Sequence, residues 1–320
     1  MTDLWKKTDA TVGDNRIFIS FSGGRSSAVM TKLLHERYRA SNEIIILFAN
    51  TGCEHEETLK FVDECDRRFG WGVVWLEAIT HPDKGIGATH KLMDFESASR
   101  NGEPFEASIK KYGIYNSTNP SCTRQLKVDV FQSYLRGLGW ETGIKNKTHY
   151  TAIGIRADEM DRISEAHKEH KYLYPLVDLG IRKRDVALEI KRWDFDLGIP
   201  SDAYGNCVWC WKKSLRKLMT LANEDSSVFD FPKKMEKLHS GVKAESKSAA
   251  PDGKRYFFRQ YRSSDDIIEM AQTKDFTPYR DDEYEHGIAA GLFDADGIIN
   301  DLDIGGGCGD GCEIGADDTQ

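Results

Sequence analysis

Ser22-Gly23-Gly24-Arg25-Ser26-Ser27 follows the run Ile17-Phe18-Ile19-Ser20-Phe21 and precedes an apolar-periodic segment. A strand that breaks at paired glycines and resumes as a helix makes a phosphate cradle. Glycines permit backbone angles closed to other residues, so consecutive N–H groups and the positive helix end converge on an anion. Ser22, Ser26 and Ser27 add hydroxyl donors, and Ser20 and Arg25 complete the candidate phosphate-binding set.

Four further stretches carry residues suited to chemistry. Asn50-Thr51-Gly52-Cys53-Glu54 closes a second strand, from which side chains reach a base or ribose; helix capping by Thr51 is the plainer account. Gly154-Ile155-Arg156-Ala157-Asp158-Glu159, with Arg162 beyond it, places guanidinium groups and carboxylates past another strand end. Such arginines suit bidentate phosphate or sulfate binding, while a surface salt-bridge cluster is the alternative. Cys122 stands beside Arg124 and Lys127, surroundings that lower a thiol pKa and improve it as nucleophile or metal ligand. Cys207-Val208-Trp209-Cys210 has the spacing of two sulfurs on one metal, or of a redox couple.

The elements that must position these residues alternate between short β-branched runs and amphipathic helices, which predicts a parallel sheet flanked by helices. Strands are expected at Arg16–Ser20, Glu43–Ala49, Gly72–Glu77 and Thr148–Ile155, with helices at Ser27–Arg39, Glu56–Arg68 and Lys212–Leu221. His81–Lys147 reads as a long irregular stretch and Gly241–Lys254 as a polar linker. Two regions are expected: residues 1–200, carrying the nucleotide-binding domain, and residues 201–320, carrying the Cys-x-x-Cys segment, the linker and an acidic, Gly- and Cys-rich extension. Ligands of such sheets sit outside the carboxyl ends of the strands.

The net charge of −8 conceals an asymmetry: residues 281–320 hold twelve acidic side chains and no Lys or Arg, leaving the first 280 residues at +4. A mildly basic body suits an anionic small ligand and permits contact with nucleic acid or a partner protein. Seven cysteines, without an apolar signal core at Met1–Lys7, point to thiols or metal ligands in a cytoplasmic setting rather than a disulfide framework. No run of apolar residues is long enough to span a membrane.

Taken in order, the motifs carry a resemblance. Ser-Gly-Gly-x-x-Ser is similar to the pyrophosphate-binding loop (PP-loop) of the adenine-nucleotide α-hydrolase superfamily, with Ser26 where that superfamily has Asp. Together with Phe48-Ala49-Asn50-Thr51-Gly52, Cys122-Thr123-Arg124-x-Leu126-Lys127, the Gly154–Glu159 stretch and Cys207-x-x-Cys210, it resembles the phosphoadenosine phosphosulfate (PAPS) reductase family, particularly its bacteriophage members, over roughly residues 16–215.

The resemblance implies a Rossmann-like α/β sheet, an adenine nucleotide at its carboxyl edge, and chemistry at sulfur or at the α-phosphate. It implies Arg156, Asp158, Cys122 and Lys127 as catalytic candidates, and Ser20, Ser22, Gly23, Gly24, Arg25, Ser26, Ser27, Asn50, Thr51, Gly154 and Arg162 as nucleotide-binding candidates. The metal-ligand candidates are Cys122, Cys207, Cys210, Cys308 and Cys312, for a [4Fe-4S] cluster or a structural Zn²⁺. Two departures matter. The terminal Glu-Cys-Gly-(Ile/Leu)-His of sulfonucleotide reductases is represented only by Cys308-Gly309-Asp310-Gly311, and Thr123 replaces the second cysteine of the iron–sulfur members. The expected activity is therefore an ATP pyrophosphatase using Mg²⁺, with adenylation and a sulfur or thiol donor. Reduction of PAPS or adenylyl sulfate (APS), and a nucleotide-binding accessory subunit of phage nucleic acid modification or host conflict, are the alternatives.

Overall fold

The computed structural model describes residues 16–83, 85–244 and 249–281. Six strands, β1 (Arg16–Ser20), β2 (Glu43–Asn50), β3 (Val74–Ile79), β4 (Thr89–Met93), β5 (Tyr150–Ala152) and β6 (Tyr172–Leu173), form one sheet in the order β4-β3-β2-β1-β5-β6. All pairings are parallel except β3–β4. Ile19 lies in register between Ile46 and Ala152, and all three are buried. Central parallel strands are covered on both faces, which is why β1 and β2 read as continuous apolar runs rather than alternating ones.

Helices α1 (Arg25–Tyr38), α2 (Glu56–Phe69), α3 (Glu103–Tyr112) and α4 (Asp129–Gly137) accompany the sheet, α4 continuing directly from a π-helical turn at Arg124–Val128. Met30 and Leu34 of α1, with Leu59 and Val62 of α2, are buried in its core. α2 is well delimited. The His55 imidazole accepts from the Glu57 N–H at its start, and Gly70 ends it at φ +63°. Then follow α5 (Pro175–Asp178), α6 (Lys183–Ile190), α7 (Leu215–Glu224), α8 (Asp230–His239) and α9 (Ser264–Thr273). Among the described residues, no helix is long and apolar enough to cross a membrane.

The α/β, parallel-dominated architecture agrees with the expectation, and β1, β2 and α2 match within a residue. Elsewhere the structure corrects the sequence reading. His81–Lys147 is not irregular: it holds β4, α3 and α4. β4 escaped notice because, as an antiparallel edge strand of sequence Thr-His-Lys-Leu-Met, it buries none of its side chains fully and so lacks an apolar signature. β5 is shorter than Thr148–Ile155, because its last residues leave the sheet to form the site loop. β3 starts two residues late, Gly72 being at φ +66°. α7 begins only after Ser214, whose side chain accepts from the Lys217 N–H. Within Gly241–Lys254, Ala250 N–H donates to Lys254 O at 2.7 Å, and the adjoining Arg255 N–H donates to Ser240 O at 2.9 Å.

Lys147, just before β5, is almost entirely enclosed. Its ammonium donates to Thr151 Oγ1 at 2.7 Å and His170 O at 2.8 Å. Burial, with repulsion from Lys171, pushes its pKa down to about 7 from the ordinary 10.5. Between those two values the unfolded chain binds more protons than the folded one, so stability rises with pH, by at most about 1.4 kcal/mol per unit. Below that window both states are protonated and the burial penalty is complete. Lys147→Met is expected to flatten this rise, as measured by urea denaturation from about pH 7 to about pH 9.

Candidate nucleotide site

The strand order reverses its direction of growth at β1. Its next strand in the chain, β2, lies on one side, and β5 on the other. Loops leaving the carboxyl ends of β1 and β5 must diverge, and a crevice opens between them. A cavity of about 350 Å³ occupies this place, lined by the loop Ser22–Ser26, by Arg156 after β5, and by Lys183 and the apolar side of α6. That volume is at the lower end of small-molecule sites.

The loop is shaped by one glycine rather than two. Gly23 takes φ +81°, and a Cβ there would lie 2.8 Å from Thr58 Cγ2. Gly24 has φ −94° and ψ 162°, extended values open to any residue, and serves as the N-cap of α1. Ser27 is buried behind the loop: its Oγ accepts from the Ser22 N–H at 3.2 Å and donates to Gly24 O at 2.9 Å. α1 therefore begins in the cavity with no side-chain cap and no acidic residue in its first turn. Its first amides and the helix dipole favour an anion there.

Arg156 closes the opposite wall. Its buried guanidinium donates to Ser26 Oγ at 3.1 Å across the crevice and to Asp158 Oδ1 at 3.1 Å. Glu159 accepts from the Arg156 N–H at 3.3 Å and from Arg162 Nη1 at 2.6 Å. Arg162 is thus held by the 154–162 loop and does not line the cavity, and neither does Gly154.

A second ring of charge surrounds the loop. Arg25 binds Asp196 through two bonds, at 2.7 and 3.1 Å, and donates to Leu197 O at 2.8 Å. Asp202 accepts from Lys183 Nζ at 2.5 Å and Arg25 Nη1 at 3.5 Å, while Asp281 accepts from the Asp202 N–H at 3.0 Å. Sequence reasoning missed Lys183, Asp196 and Asp202. One signal was available: Arg182-Lys183-Arg184 opens a helix, where positive charge opposes the dipole.

The other nucleotide candidates lie elsewhere. Ser20 is buried in β1. Asn50 donates to Glu77 Oε1 at 2.6 Å and to Ser99 O at 2.9 Å, and Glu77 also accepts from the Ser99 N–H and hydroxyl. That buried network pins the 94–101 segment to the sheet. Thr51 donates its hydroxyl to Glu54 and lines a different, smaller cavity of about 20 Å³.

This second cavity gathers Cys122, Lys127, Cys207 and Cys210. Cys207 reaches it because the Val208 N–H donates to Cys53 O at 3.0 Å, fastening the turn to the end of β2. Cys53, behind it, is pushed well above the usual thiol range by burial, with Cys207 and Glu54 adding. Although three of the proposed metal ligands line this cavity, no group of three or more His, Cys, Asp or Glu side chains among the described residues is placed to hold a metal ion. Cys308 and Cys312 lie outside the described residues.

An α/β domain with an anion-receptive loop at the topological switch point is the class this geometry defines. Residues 16–173 match the phosphoadenosine phosphosulfate reductase domain, and over that span the chain belongs to that family. The chain is 28% identical to an uncharacterized nin region protein of Escherichia phage lambda, over 92% of its own length and 94% of the relative's. It is 24% identical to an uncharacterized protein of Methanocaldococcus jannaschii, a match that covers 55% of this chain and 29% of that relative.

Gly23→Ala must adopt a left-handed angle and meet Thr58, whereas Gly72→Ala, at φ +66° with no neighbour within 4 Å, carries only the backbone strain. Urea denaturation is expected to show a loss of about 1–2 kcal/mol for Gly72→Ala and a larger loss for Gly23→Ala.

Proposed function

We propose that the larger cavity binds the phosphates of an adenine nucleotide and that the protein is an ATP pyrophosphatase, transferring the adenylate to an acceptor. The observation that carries this reading is the start of α1, uncapped and free of acidic residues, facing Arg156 across the crevice. A triphosphate laid on the loop would meet the first amides of α1 with its outer phosphates. Arg156 and Lys183 would flank the bridge to the α-phosphorus. As an acceptor oxygen attacks that phosphorus, negative charge grows on the departing pyrophosphate, where preorganised N–H and guanidinium donors stabilise it without reorganising.

The acidic side chains of the cavity do not compete for this role. Asp196, Asp202 and Asp281 are committed to Arg25, to Lys183 and to the Asp202 amide respectively. Mg²⁺ would be held chiefly by the substrate's own phosphates and would supply charge neutralisation there. The apolar side chains Val186, Ile190, Leu197 and Ile199 give the cavity a wall on which the non-phosphate part of the ligand can rest. No step is assigned to an iron–sulfur cluster, because the described thiols do not assemble a ligand set.

Incubation with labelled ATP and candidate acceptors is expected to yield AMP or an adenylate together with pyrophosphate. Arg156→Ala is expected to lower turnover by about 10²–10³-fold, with Arg156→Lys recovering part of it, and Ser22→Ala is expected to weaken it further from the loop side. Sulfite from a sulfonucleotide, without pyrophosphate from ATP, would assign the reductase reaction instead. Nucleotide binding without turnover, together with complex formation lost in both variants, would assign the accessory-subunit role.

A further inference from the structure

One short turn belongs to both cavities. Gly205 and Asn206 line the larger one, while Cys207, Trp209 and Cys210 line the smaller together with Cys122. Asn206 stands at φ +60°, a left-handed angle that asparagine adopts more readily than most residues and that bends the chain sharply between the two cavities. The turn around it is fastened by Lys213, whose buried ammonium donates to the carbonyls of Gly205, Cys207 and Val208 at 2.8, 2.9 and 2.6 Å. The Cys210 N–H donates to Cys207 O at 2.9 Å, so the Cys-x-x-Cys segment is a closed turn. Cys207 Sγ is further oriented by Thr51 Oγ1 at 3.4 Å. These residues do not fit a metal site among the described residues. They present paired thiols in a cavity of about 20 Å³, room for a water-sized molecule and far too small for a tripeptide thiol.

From this juxtaposition we infer that Cys207 and Cys210 form a reversible dithiol–disulfide couple, open to small peroxides and closed to bulky disulfides. The sulfur of one cysteine attacks a peroxide oxygen, the O–O bond breaks, and a sulfenic acid and one water result. The sulfur of the other then displaces the hydroxyl of the sulfenic acid as a second water, forming the S–S bond. Overall two thiols and one hydrogen peroxide give one disulfide and two waters; the sulfurs together lose two electrons and the peroxide gains them. Closing the S–S bond reshapes the turn, and Gly205 and Asn206 carry that change into the larger cavity. This second effect rests on the reading of that cavity as a nucleotide site. It makes nucleotide affinity depend on the oxidation state of the pair.

The test uses the full chain, reduced, freed of reductant and analysed for metal, then treated with equimolar hydrogen peroxide, with alkylation of remaining thiols and peptide mapping. A Cys207–Cys210 link is expected, reversed by dithiothreitol, and accompanied by quenching of tryptophan fluorescence from Trp209 and Trp211. It is expected to persist in Cys122→Ser and to vanish in both Cys207→Ser and Cys210→Ser, each checked for native circular dichroism. Failure of the link to form, its formation only between Cys308 and Cys312, or a stoichiometric metal held by Cys207 and Cys210 in the purified protein would overturn the proposal. ATP titration of the reduced and oxidised forms is expected to differ by about 5-fold or more. Equal affinities would overturn the coupling alone, whereas no ATP binding by the reduced form would overturn the nucleotide reading and leave the disulfide map to decide the thiol pair.

Discussion

The hydrogen bond from Arg156 to Ser26 joins two segments that are 130 residues apart in the chain and neighbours only because β1 lies between β2 and β5. A parallel sheet growing outward from a central strand in both directions sends its connections to opposite sides, so the loops after β1 and β5 part at the carboxyl edge. The cavity is the space this parting leaves. Ser22–Ser26 lies on one lip and Arg156 on the other, and both depend on the register that sets Ile19 between Ile46 and Ala152. Because both faces of β5 are buried, slipping it by one position would exchange the side chains packed on its two faces as well as moving Arg156, which is why the register is strongly specified.

Electrostatics refines what the backbone provides. An arginine and a lysine beside a helix N-terminus repel it and each other, and an empty cavity of that kind would be costly. Asp158 and Glu159 hold Arg156, Asp196 holds Arg25, and Asp202 holds Lys183, so each cation is oriented before any anion arrives. Arg25 and Asp196 are partly exposed, and such a pair contributes little stability. Its effect is on geometry: the bidentate contact ties the loop of β1 to the 196–202 segment, which carries part of the apolar wall. The same segment leads through Gly205 and Asn206 to the thiol turn, so the two cavities share a backbone as well as a core.

The sulfur-lined cavity depends on tertiary contacts of another kind. Trp209 packs against Phe105, Phe231 and Phe257, with ring centroids 5.0, 5.4 and 4.9 Å away. These rings come from α3, from α8 and from the segment before α9. The region after residue 200 thus encloses the Cys-x-x-Cys turn against the end of β2 instead of leaving it on the surface, and Lys213 satisfies three of the carbonyls that this enclosure removes from water.

Local physics made much of this legible in the amino-acid sequence. β-branched runs, apolar helical periodicity and the glycine-bearing turn act within a few residues, so β1, β2, α2 and the loop after β1 could be read directly. β4 could not, because an exposed edge strand has no apolar pattern to announce it, and its pairing with β3 is a long-range choice. Asn50 has the right type and position for a ligand contact, yet burial commits it to Glu77 and Ser99. Asp196 and Asp202 enter the cavity only because the segment after α6 closes over the loop, and nothing in their immediate neighbours dictates that, whereas Lys183 carries a local signal only in the basic start of α6. The sequence by itself determined the α/β class, the glycine-bearing strand-to-helix loop and the family-bearing motifs. Tertiary structure alone decided which of those motifs share a cavity, because cavity walls are made by residues far apart in the chain, and such contacts leave no local trace.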